Sequence, residues 1–105
     1  MRGDVHLLRA ARDAQGHEQR GQRYAVLLQS DYLAELSTRL VAPTSTNALP
    51  LSFRPRVEIE GQQTLLLVDQ LAAADLNRLG RPAGRLTADE LAEADAALRL
   101  VLGLR

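Results

Sequence analysis

The chain has no cysteine, no tryptophan and no lysine. Without cysteine there is no disulfide framework and no thiolate metal site. Aromatic residues are confined to Tyr24, Tyr32 and Phe53, so a core has to be built from Leu, Val and Ala. No apolar run approaches the ~18 residues that a membrane-spanning helix needs. No apolar h-region follows the charged start Met1-Arg2-Gly3-Asp4, which argues against a secretory signal. Together these absences point to a cytoplasmic protein with no membrane partner. The two histidines, His6 and His17, stand eleven positions apart and form no ligand cluster, so neither a metal nor another cofactor is expected.

What is present fits one domain over residues 1–105, long enough for a modest core. The apolar fraction is 46% and the charged fraction 25%, ordinary values for a globular chain. Thirteen arginines balance thirteen acidic residues, but unevenly along the chain. Residues 1–25 carry Arg2, Arg9, Arg12, Arg20 and Arg23 against Asp4, Asp13 and Glu18, whereas residues 87–102 carry Asp89, Glu90, Glu93 and Asp95 against Arg99. A basic face is compatible with zero net charge, and arginine is the better fork for phosphate.

The most concentrated chemistry lies in Gly16-His17-Glu18-Gln19-Arg20-Gly21-Gln22-Arg23, a polar loop bracketed by glycines. It leads straight into the apolar run Tyr24-Ala25-Val26-Leu27-Leu28. These residue types can take a proton, release one and bind phosphate, and a loop entering a buried strand is well placed to present them.

Local patterns predict several short strands. Val5 and Leu7 alternate with polar neighbours, and Tyr24–Leu28 reads as a strand buried on both faces. Ser30-Asp31 can cap a short turn through Leu33 and Leu36. Leu40-Val41-Ala42 reads as a strand stopped by Pro43, followed by a polar turn at Thr44-Ser45-Thr46-Asn47. Val57 and Ile59 alternate with charged neighbours, Gly61-Gln62 reads as a hairpin turn, and Thr64–Val68 as the returning strand. Asp69–Leu76 reads as a short helix, and Arg78–Leu86 as a connection with a last short strand. At the C-terminus Thr87-Ala88-Asp89-Glu90 has capping-box spacing. Leu91, Ala94, Leu98, Val101 and Leu102 then form a helical stripe, with Gly103 at the cap position. Strands this short protect their edges by curling. The expected fold is α+β, mainly β: an antiparallel sheet curled toward a barrel, with one C-terminal helix.

Five segments in register resemble the MazF/PemK toxins of bacterial type II toxin–antitoxin systems. They are Arg2-Gly3-Asp4-Val5, the Gly16-His17-Glu18-Gln19…Arg23 loop, Val41-Ala42-Pro43-Thr44-Ser45-Thr46, Leu67-Val68-Asp69-Gln70 and the closing helix through Leu98–Leu104. The resemblance implies an SH3-like, strongly curled sheet and a homodimer. It implies a metal-independent endoribonuclease that cuts single-stranded RNA at short motifs, leaving a 2′,3′-cyclic phosphate and a 5′-hydroxyl. It also implies a cognate antitoxin that blocks the RNA groove.

By the same resemblance Arg23 takes the position of the family's catalytic arginine and Ser45 that of its catalytic threonine, with Thr44 and Thr46 as alternative hydroxyls. Arg23 would stabilise phosphorane charge, and Ser45 would orient the phosphate or pass a proton. His17 and Glu18 are the candidates for proton transfer. Gln19, Arg20, Thr44, Thr46, Asn47, Asp69 and Gln70 are candidate RNA contacts. Taken alone, Arg23 reads as a surface arginine, Glu18 as a salt-bridge partner, Ser45 as part of a hydroxyl-rich turn and Asp69 as a helix N-cap. The chain departs from the family where Tyr24 replaces a common proline, and where Ala72, Ala73 and Ala74 replace a downstream arginine. Two other readings stay open: a non-catalytic poison resembling the gyrase-binding CcdB toxins, and an inactive RNA-binding member.

Overall fold

The computed structural model describes residues 1–9 and 23–105. Among the described residues seven strands run β1 (Asp4–Leu8), β2 (Tyr24–Leu27), β3 (Thr38–Ser45), β4 (Arg56–Ile59), β5 (Gln62–Leu66), β6 (Ala72–Asp75) and β7 (Leu79–Arg85), followed by helix α1 (Ala88–Leu102). Their order across the sheet is β4-β5-β3-β2-β1-β7, with β6 also paired to β3. Every pairing is antiparallel. This is the curled, mainly β sheet with one C-terminal helix that the sequence pattern predicts.

Strand β2 shows why the sheet has two covered faces. Val26 and Leu28 join the main core with Val5, Ala42, Val57, Ile59, Leu66, Val68 and the helix residues Ala94 and Ala97. Ala25 and Leu27 join a second cluster with Val41 and Ala74 on the other side. A continuous apolar run is what burial on both faces requires. Strand β4 is the contrasting case: Val57 and Ile59 enter the core while Arg56 and Glu58 stay exposed.

Pro43 does not stop its strand. β3 continues through it to Ser45, because the position needs only a carbonyl: Leu67 N–H donates to the Pro43 oxygen at 2.9 Å. The proline falls where β3 changes partner, from β2 at Val41–Pro43 to β5 at Thr44 and Ser45. A second correction concerns Asp69–Leu76. The alanines there form β6, paired with Thr38–Val41, between two short 3-10 turns at Val68–Gln70 and Leu76–Arg78. Alanine's helix propensity is a weak prior that pairing to a waiting strand edge overrides. The β4–β5 hairpin also turns one residue earlier than expected, at Glu60-Gly61 between the paired Ile59 and Gln62.

Helix α1 begins with the predicted capping box: Thr87 Oγ1 accepts from Glu90 N–H at 3.1 Å, and Glu90 Oε1 accepts from Thr87 N–H at 2.8 Å. The second Glu90 oxygen accepts from Glu58 N–H at 2.8 Å, so the same carboxylate fastens the helix to β4. Gly103 closes the helix in the left-handed conformation. Gly3 has φ +92° and sits against Leu91. Its N–H donates to Leu27 and its carbonyl accepts from Leu86. Arg2 next to it donates to the Leu28 carbonyl and to Asp95 of the helix. The opening Arg-Gly pair is thus a tie between β2 and α1. No helix among the described residues is long and apolar enough to cross a membrane.

Candidate functional site

The β2–β3 register decides which residues can act together. Ala25 faces Pro43, Val26 faces Ala42 and Leu27 faces Val41. The ladder ends at Ala25 and Pro43, beyond which β3 pairs with β5, so Arg23 and Ser45 each lie two residues past its last pair. Alternation along β3 gives Ser45 the face of Val41 and Pro43. That is the second-cluster face, away from the main core and the helix. Arg23 and Ser45, twenty-two positions apart in sequence, thus stand beyond the same end of the β2–β3 ladder.

Ser45 is half-buried, and its Oγ accepts from Asn47 N–H at 3.2 Å. A hydroxyl that accepts in this way keeps its own proton to donate. Thr44 is different. It pairs with Leu66 and is 5% exposed, turned to the core side, so the expectation that it contacts RNA finds no surface to rest on. Thr46 and Asn47 are exposed in the loop that follows. Arg23 is half-buried, and its carbonyl accepts from Leu8 N–H at 2.8 Å. Beyond Leu8, Arg9 is held to the 3-10 turn at its neighbours' backbone, donating to the Asn77 carbonyl and receiving both Nε and Nη2 of Arg78 on its own carbonyl. His17, Glu18, Gln19 and Arg20, the expected proton-transfer and RNA-contacting residues of the glycine-bracketed loop, lie outside the described residues.

Asp69 does not cap a helix. It sits in the Val68–Gln70 turn and takes Arg54 in a two-pronged pair, Nε to Oδ1 at 3.0 Å and Nη2 to Oδ2 at 2.9 Å. Arg54 Nη1 also donates to the Leu49 carbonyl at 3.0 Å, which folds the 46–55 loop back toward the end of β5. The Arg54 guanidinium holds the Asp69 carboxyl below the usual carboxylate range. Gln70 beside it is exposed. Asp69 thus braces the loop that follows Ser45 and spends both its oxygens there.

Tyr24 uses its position in a way a proline could not. Its hydroxyl donates to Glu60 Oε1 at 2.6 Å, and Arg81 Nη1 donates to Glu60 Oε2 at 2.8 Å. Glu60 adopts φ +52° in the hairpin turn, an uncommon conformation for a residue with a Cβ. The three side chains come from β2, the β4–β5 turn and β7, so they join the two ends of the curled sheet next to Arg23. His6 is half-buried, and its Nδ1 donates to the Gly80 carbonyl at 3.0 Å, a packing role as expected. Among the described residues no group of three His, Asp or Glu gathers to hold a metal ion.

Sequence reasoning missed Arg54, Glu60, Arg81 and, on the outer face beside Ser45, Arg56 and Gln63. The last two were within reach. Once the β4–β5 hairpin is read, alternation sends Arg56 and Gln63 to the face opposite Val57 and Ile59.

The family model for PemK-like, MazF-like toxins of type II toxin–antitoxin systems matches residues 1–102. The chain belongs to this family. It is 38% identical over 105 residues to a Mycobacterium tuberculosis protein named "Putative toxin Rv3098A", covering 99% of this chain and 98% of the other. Among solved structures, MazF from Deinococcus radiodurans superposes with TM-score 0.77 at 25% identity, covering 98% of this chain and 96% of that one. An endoribonuclease in complex with its cognate antitoxin, from a mycobacterial species, superposes with TM-score 0.81 at 15% identity, covering all of this chain and 96% of the other.

Proposed function

We propose that this chain is a sequence-specific endoribonuclease toxin that cuts single-stranded RNA without a metal. The observation that supports the reading is that Arg23 and Ser45 stand beyond the same end of the β2–β3 ladder, each two residues past its last pair. A phosphodiester seated there would have a guanidinium and a hydroxyl proton directed at its oxygens. In the reaction the 2′-oxygen loses its proton to a base and bonds to phosphorus, and the bond to the 5′-oxygen breaks. The leaving oxygen takes up a proton. The products are a 2′,3′-cyclic phosphate and a 5′-hydroxyl.

Arg23 stabilises the extra charge on the phosphorane oxygens. The fork of a guanidinium matches two phosphate oxygens at once. Ser45 donates to one of those oxygens while Asn47 N–H fixes its rotamer. Glu18 and His17 take the proton-transfer roles, on the strength of their chemistry and the family pattern. Thr46, Asn47 and Gln70, with Gln19 and Arg20, contact the RNA. Asp69 serves indirectly through Arg54.

Two partners complete the proposal. A cognate antitoxin occupies the RNA groove and silences the toxin in the cytoplasm. The chain forms a homodimer, for which the exposed apolar side chains of Leu100, Val101, Leu102 and Leu104 provide material. Purified protein incubated with long mixed-sequence RNA in EDTA should produce discrete cuts with 5′-hydroxyl ends. Intact RNA beside a folded protein would remove the reading.

A further inference from the structure

A small pocket opens beside Ser45. It has a volume of about 200 Å³ and is lined by Thr46, Ala48, Pro50, Arg56, Gln63 and Leu65, among others. Its position follows from two registers. Ser45 pairs with Leu65, and Leu65 pairs with Arg56. The three residues form one row across β3, β5 and β4. Neighbouring strands lie about 4.8 Å apart, so the Arg56 backbone is roughly 10 Å from that of Ser45. Gln63 stands two residues from Leu65 on the same face, opposite Glu58. Ser45, Leu65, Arg56 and Gln63 therefore share one face of the sheet.

The lining is divided by chemistry. Leu65, Pro50 and Ala48 give an apolar wall, and Leu65 is 7% exposed. Arg56 and Gln63 are exposed and stand at the polar side. Among the described residues neither side chain is engaged by the ion pairs that occupy Arg54 and Arg81. An apolar wall with a few polar groups that fix orientation is the usual make-up of a binding pocket. Its volume falls below the ~300 Å³ at which pockets for larger ligands begin, so the occupant is a fragment of the size of one nucleobase.

We infer that this pocket binds the base of a nucleotide flanking the broken bond, and that Arg56 and Gln63 select guanine there. Arginine offers only donors, and guanine shows two adjacent acceptors, O6 and N7, which an arginine fork matches. Gln63 can accept from or donate to the same base, and Leu65 and Pro50 cover its faces. In single-stranded RNA the base is free to turn into such a pocket and present its edge. With so few aromatic residues in the chain, an aliphatic wall and a guanidinium take the place of a stacking platform.

The inference rests on the proposed RNA substrate but is tested separately from cleavage. Oligonucleotides with 2′-O-methyl groups lack the attacking hydroxyl and stay intact, so binding can be read by itself. Fluorescence anisotropy is measured for alternating 2′-O-methyl UG, UA and UC decamers against wild type, Arg56→Ala and Gln63→Ala. Wild type should prefer the UG decamer by about 5- to 150-fold, the discrimination of a two-pronged base contact. Arg56→Ala should lose most of that preference, and Gln63→Ala should reduce it. Equal binding of the three decamers by wild type would overturn the inference, as would a guanine preference that both variants keep. Cleavage mapping gives the second arm: cuts by the variants should spread to sites with other bases at one motif position. If wild type binds the UG decamer selectively but cuts no RNA, the pocket stands and the catalytic reading fails.

Discussion

Arg54 and Asp69, fifteen positions apart, meet through two parallel hydrogen bonds of 3.0 and 2.9 Å. Their side chains are only 14% and 26% exposed, and Arg54 also carries the Leu49 carbonyl. The pair gives the loop after Ser45 a fixed return point, which a turn of hydroxyl residues alone would not provide.

That pair ties stability to pH. The Asp69 carboxyl is held below its ordinary value by Arg54. A group whose folded pKa is lowered contributes stability that is fully present above the unfolded value, about 3.9 for aspartate. The contribution is lost as pH falls through the lower, folded value. Urea midpoints of wild type and Asp69→Asn should therefore differ near neutral pH and converge below about pH 3.9. Parallel curves across that range would contradict the assignment.

Tyr24 offers a spectroscopic test of the clamp beside Arg23. The hydrogen bond to Glu60 raises the Tyr24 phenol above its ordinary value. Alkaline ultraviolet titration of Tyr32→Phe reads Tyr24 alone. Adding Glu60→Ala should bring the Tyr24 phenol down. A Tyr24 titration unchanged by Glu60→Ala would show that the contact is not formed.

The double use of Glu90 predicts an order of stabilities. Thr87→Ala removes one capping bond and should cost about 1 kcal/mol. Glu90→Ala removes the reciprocal bond and also strands Glu58 N–H, so it should cost more. Chemical denaturation of both variants decides this, and an equal or reversed order would contradict it. For scale, truncating the fully buried Leu66 to alanine should cost about 2–5 kcal/mol.

The exposed end of α1 predicts the assembly. Leu100 and Leu104 are 62% and 60% exposed, more apolar surface than one helix end needs to leave in water. Light scattering should give a dimer mass for wild type and a smaller mass for Leu100→Glu with Leu104→Glu. A wild-type monomer at micromolar concentration would remove the proposed homodimer.

How far the sequence reveals this fold depends on whether the signal is local. The capping box at Thr87 and Glu90, the alternation of Val57 and Ile59, and the apolar run of β2 are each set by neighbours a few residues away, and the structure has all three. Pro43 misled because a proline's missing N–H matters only if the position needs one, and the strand-to-strand partners that decide this are distant. Ala72–Ala74 misled for the same reason: β3 supplies a ladder that outweighs alanine's preference for helix. Arg54 and Asp69 could not be paired from spacing, since the whole β4–β5 hairpin separates them and each lies just outside its strands. The Arg23–Ser45 relationship lies between these cases. The resemblance names both residues, and the β2–β3 register brings both to one end of the ladder.

The central claim is that Arg23 and Ser45 act on one phosphate. The most direct measurement is the rate of RNA cleavage in EDTA by wild type, Arg23→Ala, Ser45→Ala and the double variant, with the new ends mapped. The account predicts 5′-hydroxyl ends from wild type and a loss of about 100-fold or more in Arg23→Ala, the size seen when a transition-state charge contact is removed. It predicts a smaller loss in Ser45→Ala, and a double variant little worse than Arg23→Ala, because residues acting as a unit are not additive. Cleavage by Arg23→Ala at the wild-type rate, or single losses that simply multiply, would contradict it.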